Sequence, residues 1–138
     1  MCKRFYVDTS VWRDFLEDRS DGLKPLGEFA FQFLKKCLKE KAQVVFSGIV
    51  LKELLPVFSE AEIAKRLFEF KEIIVDIDCS SAQKREAVNF WLKTGKRFPY
   101  SDVLHAIIAR DNNAVLVSRD RHFWEIGIVE CVLPEEAL

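Results

Sequence analysis

Five short, largely apolar runs recur along the chain: Phe5–Val7, Val44–Phe46, Ile73–Ile77, Ala114–Val117 and Ile128–Val132. Runs of this length with no polar alternation predict strands of a sheet covered on both faces. Between them the hydrophobic period lengthens. Leu26, Phe29, Ala30, Phe33, Leu34, Cys37 and Leu38 recur at steps of three and four, with lysines opposite, and predict an amphipathic helix. A second helix is predicted from Ser47, an N-cap candidate, to about Val57. A third runs from Glu60 to about Phe70, and a fourth from about Ser80 to Leu92 with Ala87, Val88, Trp91 and Leu92 inward. A fifth starts on Ser101 as N-cap, after Pro99-Tyr100, and carries Val103, Leu104, Ile107 and Ile108. Strands alternating with helices predict an α/β fold with a mainly parallel sheet.

That architecture assigns places to four acids. Crossovers between parallel strands are right-handed, so the residue after a strand and the first turns of the next helix share the carboxyl edge of the sheet. Asp8 follows the first strand, Glu53 lies in the helix after the second, Asp102 opens the helix before the fourth, and Asp120 follows the fourth. All four are predicted at one edge, where open α/β sheets hold ligands at the switch in strand order. Gathered carboxylates repel, and a divalent cation such as Mg²⁺ or Mn²⁺ relieves the repulsion. A carboxylate nest holding such an ion is what phosphodiester hydrolysis needs.

Composition narrows the class. The chain of 138 residues is the size of one domain, 1–138, without repeats, low-complexity segments or a dividing linker. Its net charge of −1 excludes an overtly basic nucleic-acid binder but permits a local basic rim. No apolar run reaches membrane-spanning length and the N-terminus lacks a signal-peptide core, so a cytoplasmic protein is expected. Cys2, Cys37, Cys79 and Cys131 are scattered, which reads as reduced thiols and not as zinc ligands.

The acids sit in strings that resemble a known pattern. Tyr6-Val7-Asp8-Thr9-Ser10-Val11-Trp12, the acidic helix Val50-Leu51-Lys52-Glu53-Leu54, Pro99-Tyr100-Ser101-Asp102-Val103-Leu104-His105-Ala106 and Val115-Leu116-Val117-Ser118-Arg119-Asp120-Arg121-His122-Phe123 resemble the motifs of the PIN-domain ribonucleases. The small form is similar to the toxin components of VapBC-type toxin–antitoxin pairs. The resemblance spans essentially the whole chain. It implies a PIN-like, flavodoxin-like parallel sheet of about five strands flanked by helices, a three-layer sandwich. It implies a Mg²⁺- or Mn²⁺-dependent endoribonuclease with Asp8, Glu53, Asp102 and Asp120 as the acidic site. Ser118 matches the small hydroxyl position of the last motif and Ser10 a polar position beside the first Asp. His122 stands where family members often carry another Asp, a departure that removes a fifth carboxylate and suits phosphate contact when the ring is protonated. RNA as substrate, an antitoxin protein and a homodimer are the implied partners.

Simpler readings compete at each position. Asp8-Thr9-Ser10 suits a plain helix cap, and Glu53 an ordinary helix carboxylate paired with Lys52. His105, one turn after Asp102, reads as a core or supporting histidine before a ligand. Lys93, Lys96 and Arg97 suit either an RNA backbone or a solvated helix end. Trp12, Phe15 and Leu16 are core or, if exposed, a partner surface with Leu55, Phe58, Leu67 and Phe68. A haloacid-dehalogenase-like phosphatase wants a second Asp where Ser10 stands. A receiver domain wants a central-strand Asp and a late lysine, and neither is evident. A non-catalytic PIN-like scaffold would keep the fold without needing all four acids.

Overall fold

The computed structural model describes residues 3–137. Among them are five strands: β1 (Arg4–Val7), β2 (Gln43–Ser47), β3 (Ile74–Ile77), β4 (Val115–Val117) and β5 (Cys131–Val132). Seven α-helices connect them: α1 (Thr9–Glu17), α2 (Leu26–Glu40), α3 (Gly48–Leu54), α4 (Glu60–Leu67), α5 (Ser81–Lys93), α6 (Tyr100–Asp111) and α7 (Arg121–Ile126). The strand order is β3-β2-β1-β4-β5, and every pairing is parallel.

Strand order fixes the layers. The chain walks outward from β1 to β2 to β3, then returns across the sheet to β4 and β5. With right-handed crossovers, the first walk lays α1 to α4 on one face and the return lays α5 to α7 on the other. Helix contacts agree: α1 packs on α2 and α3, and α6 packs on α5 and α7. The direction reverses between β1 and β4, so their carboxyl ends frame the crevice. The sheet is correspondingly dry. Phe5, Tyr6, Val7, Val44, Val45, Leu116 and Val117 are buried along the three central strands. The apolar stripe of α2 buries Ala30, Phe33, Leu34 and Cys37. Gly27 lets α2 start hard against α1, since a Cβ there would fall 2.7 Å from the Asp14 carbonyl oxygen.

Several expectations change. Trp12, Phe15 and Leu16 are core residues of α1 and not a partner surface. On α5 the inward residue is Ala87, with Phe90 beside it, while Val88 and Leu92 are 39% and 54% exposed. Five of the six residues Ala87–Leu92 are apolar and ring the helix, so periodicity alone does not choose the face; the Ser80–Gln83 capping box sets only where the helix starts. Ser101 is not the N-cap of α6, which begins one residue earlier after Pro99. The helix from Glu60 tightens to 3₁₀ geometry over Phe68–Phe70. Ile128 and Val129 pack against the core, but ladder pairing in β5 is confined to Cys131 and Val132. Ser47 caps α3 as expected, accepting from the Val50 amide. Cys37, Cys79 and Cys131 are free thiols, and burial pushes Cys37 and Cys131 up to about 12, leaving them inert. Cys2 lies outside the described residues. No helix among the described residues is long and apolar enough to cross a membrane.

Candidate metal centre and active site

Asp8 stands between β1 and α1 and is 6% exposed. It holds the N-cap position, yet its side chain caps nothing. Oδ2 instead accepts from Ser10 Oγ at 2.6 Å and from Ser118 Oγ at 3.0 Å. Oδ1 has no protein donor among the described residues. The plain helix-cap reading therefore fails for Asp8. Ser118 is fully buried after β4 and links the strand ends, because its Oγ also accepts from the Asp120 amide at 3.0 Å.

Asp120 caps α7 by accepting from the His122 amide at 2.9 Å. Asp102 lies in the first turn of α6 with a side chain 15% exposed. His122 Nδ1 sits between the two, 3.0 Å from Asp102 Oδ2 and 3.3 Å from Asp120 Oδ1. One ligand-type atom from each of Asp102, Asp120 and His122 lies within 4.8 Å of the others. Burial raises the Asp102 carboxyl above its usual range; the His122 hydrogen bond opposes this, and the charges of Asp120 and Asp8 add to the rise. The like charges thus feel one another across β1 and β4. The His122 ring is raised in turn, first by its hydrogen bond to Asp102 and then by the Asp120 charge.

Glu53 is held separately. Its Oε1 accepts from Thr9 Oγ1 at 2.9 Å and faces His105 Nε2 at 2.5 Å, while Oε2 has no donor among the described residues. Burial pushes this carboxyl up, but the His105 hydrogen bond, the charge that ring carries when protonated and the Thr9 hydrogen bond outweigh it and hold Glu53 below its usual value. Lys52 makes no ion pair with it. An open cleft of about 800 Å³ adjoins Glu53, lined also by Lys52, Lys84, Tyr100 and Leu104.

Asp102, Asp120 and His122 therefore meet, Asp8 stands beside them, linked to the Asp120 backbone through Ser118 and felt by Asp102 through its charge, and Glu53 is held apart on α3. Ser10 and Ser118 both grip Asp8. His105 is buried at 1% exposure and bonds to Glu53, the supporting place that its spacing suggested. Of the basic trio, Lys96 lies over the Trp91 ring at 4.9 Å, and Arg97 pairs with Glu125 at 3.3 Å, so neither meets the acids. Lys84 escaped the sequence reading, and Thr9 entered it only as part of a helix-cap string. Thr9 had one signal, a hydroxyl directly after Asp8 at a helix start.

The donors present are hard oxygens with one imidazole, which suits Mg²⁺ or Mn²⁺ and disfavours soft metals. The free Oδ1 of Asp8 and the like charges of Asp8 and Asp120 around Asp102 fit such an ion.

A family model described as PIN domain matches residues 5–129. No curated protein matches the chain. Among solved structures, the fold is similar to a chain of VapBC2 from Rickettsia felis bound to a DNA fragment from their promoter. That likeness has a TM-score of 0.70 at 19% identity, over 94% of this chain and 98% of that one. DNA-bound VapBC from Salmonella typhimurium gives 0.67 at 17% identity, over 97% and 99%. FitAcB from Neisseria gonorrhoeae gives 0.62 at 19% identity, over 96% and 99%.

Proposed function

This chain belongs to the PIN domain family, and from that premise we propose that it is a Mg²⁺- or Mn²⁺-dependent endoribonuclease, the toxin of a toxin–antitoxin pair. The observation that supports the reading is the gathering of Asp102, Asp120 and His122, with Asp8 tied to the Asp120 backbone through Ser118, at the switch point between β1 and β4. Asp8, Asp102 and Asp120 would hold the cation directly, with Glu53 beside it. When bound, the ion would supply Lewis-acid chemistry toward a phosphate oxygen and make a nearby water easier to deprotonate. The chain's own residues do the rest. Ser10 and Ser118 fix one oxygen of Asp8, so the other is presented without rotation of the carboxylate. Glu53, kept ionised by its donors, is placed to accept the proton of the attacking water at Oε2. Hydrolysis in line would expel the 3′ oxygen and leave a 5′ phosphate. Ser10 donates to Asp8 where a haloacid-dehalogenase-like phosphatase would place its second acid, so the nuclease reading is preferred.

A protein partner and a homodimer belong to the same proposal, as does action in the cytoplasm. Their support is surface chemistry: an apolar groove lined by Leu51, Ile63, Leu67, Phe68 and Ile74, with Phe68 64% exposed and Leu55 41% exposed nearby. The similar solved structures are themselves of VapBC and FitAcB.

The decisive experiment is cleavage of single-stranded and structured RNA by purified protein with Mg²⁺, Mn²⁺, Ca²⁺ or EDTA. Cleavage is expected with the first two and abolished by EDTA. Cleavage that survives EDTA, or wild-type rates in both Asp8→Asn and Asp120→Asn, removes the metal-nuclease reading. Light scattering at tens of micromolar tests the dimer, and a clean monomer removes it.

A further inference from the structure

Beneath Glu53 runs a line of buried polar groups that no packing need explains. Tyr6, Ser47 and His105 are at most 1% exposed, in the heart of an otherwise apolar core. Tyr6 lies on β1, Ser47 ends β2 and His105 sits on the second turn of α6. The Tyr6 hydroxyl is 2.7 Å from Ser47 Oγ and 2.5 Å from His105 Nδ1. On its other edge, His105 Nε2 meets Glu53 Oε1, which also takes the Thr9 hydroxyl. Buried polar atoms are costly unless every donor and acceptor is matched, so the hydrogens can be counted.

Ser47 Oγ accepts from the Val50 amide at 3.3 Å. Its own hydrogen has one acceptor among the described residues, the Tyr6 oxygen. A phenol keeps its proton at neutral pH, and with Ser47 donating to its oxygen that proton is free to go to His105 Nδ1. Nδ1 is then an acceptor, and the ring hydrogen is on Nε2, aimed at the Glu53 carboxylate. The reverse order leaves the Ser47 hydrogen with no acceptor. In the order chosen every hydrogen points the same way: Val50 to Ser47, Ser47 to Tyr6, Tyr6 to His105, His105 to Glu53.

We propose that His105 is a positioning residue for Glu53, its Nε2–H tautomer and ring orientation set from the core by the Ser47–Tyr6 hydroxyl pair. The inference rests on the nuclease reading for the role of Glu53. The consequence is specific. Glu53 sits on α3 with a side chain 35% exposed, and an unanchored glutamate there would sample several rotamers. His105 and Thr9 pin Oε1 and leave Oε2 open. Rotamer freedom is removed at one oxygen while the other stays available for chemistry.

Two arms test it. In the first, ¹⁵N-labelled histidine NMR on the full chain at neutral pH, with EDTA, reads the ring directly. A single neutral Nε2–H tautomer for His105 is expected. An Nδ1–H tautomer or a doubly protonated ring overturns the inference. This arm needs no activity. A protein with the Nε2–H ring that cuts no RNA refutes the nuclease function and leaves the contact standing. A ribonuclease with the wrong ring refutes the inference alone.

The second arm measures Mn²⁺-dependent RNA cleavage by His105→Gln, His105→Leu and Tyr6→Phe. Outer partners of a metal site typically contribute tenfold or more. His105→Leu should lose about tenfold in kcat with KM for RNA unchanged, and His105→Gln, which keeps an N–H for Glu53, should recover most of it. Tyr6→Phe removes only one oxygen atom, so it serves as the folded control for His105→Leu, and it should lower kcat severalfold. A purely structural contact would lower Tm in Tyr6→Phe and His105→Leu and leave the kcat of the folded fraction untouched. Wild-type kcat in both variants, or no recovery in His105→Gln, overturns the proposal.

Discussion

Asp8 and Glu53 are each gripped through a single oxygen by two donors, Ser10 and Ser118 for one, Thr9 and His105 for the other. Ser118, after β4, and His105, on α6, are buried, while Thr9 and Ser10 open α1. Asp102 and Asp120 are joined to each other through His122 alone, whose side chain is 42% exposed. Toward β2 the acids are set before any ligand arrives, and binding costs them little rearrangement. Toward β4 an imidazole lies between two carboxylates, in the manner of a cation, and must yield to one. The contrast teaches that a single acidic cluster can combine a preorganised half with an adaptable half. The preorganised half is where point changes should damage chemistry without any change in metal charge. The adaptable half is where pH and metal should trade places.

The largest expected effect tests whether both halves serve one reaction. Asp8→Asn and Asp120→Asn each keep shape and remove charge. Each should lower kcat by a hundredfold or more, on the order of 3 kcal/mol of transition-state stabilisation. If Asp8→Asn is inactive and Asp120→Asn is not, the β4 half is dispensable and the division between them is sharper than proposed. Next in size is stabilisation by metal. Mn²⁺ at a hundred times its Kd should add about 2.7 kcal/mol to the unfolding free energy, and Asp102→Asn should lose most of that. Without metal the sign reverses. Burial raises Asp102, so its charged form opposes folding, and Asp102→Asn should raise the EDTA-state Tm at pH 7. That advantage should shrink as pH falls through the raised Asp102 value, because the protonated acid resembles Asn. A lower Tm for Asp102→Asn at neutral pH, read by calorimetry, would show that His122 neutralises the site fully.

Ser118→Ala probes the gripped half by stability. It deletes the acceptor of the Asp120 amide and one of the two donors to Asp8. A loss of about 1–2 kcal/mol is expected in urea melts, the usual cost of stranding buried partners. A neutral Ser118→Ala would mean that Ser10 alone suffices to hold Asp8.

The same division marks what could be read from the sequence. Asp8 and Asp120 were legible because a strand end fixes which edge a residue occupies, and parallel topology carries that edge across the sheet. A sheet covered on both faces followed from the unbroken apolar runs, and the three-layer order from the family resemblance. What stayed hidden depends on contacts between distant positions. Thr9 and Glu53 are separated by 44 residues and His105 and Glu53 by 52, and no local pattern encodes either meeting. Tyr6 in Phe5-Tyr6-Val7 reads as an apolar strand residue, since pattern reports where a side chain goes and not what its hydroxyl touches. The α5 face was misread for a related reason: Ala87, Val88, Phe90, Trp91 and Leu92 follow almost consecutively and ring the helix, so periodicity selects no side.

The smallest effect belongs to the adaptable half and distinguishes it by pH. His122 gains its hydrogen bond to Asp102 on folding, and its folded pKa lies above the ordinary histidine value. A raised histidine stabilises the fold fully below its unfolded pKa, roughly 6.5, and loses that contribution as pH rises through the folded value. In EDTA, wild type should therefore be more stable than His122→Ala near pH 6 and about equal to it above pH 8. As pH drops further, Asp102 takes a proton of its own and the gap should close again from the acid side. Saturating Mn²⁺ should abolish the pH dependence of the gap, because the ion replaces the imidazolium between the carboxylates. A gap that is flat from pH 6 to 9 in EDTA would place His122 among the fixed members of the site. The two halves would then differ in burial and not in how they answer charge.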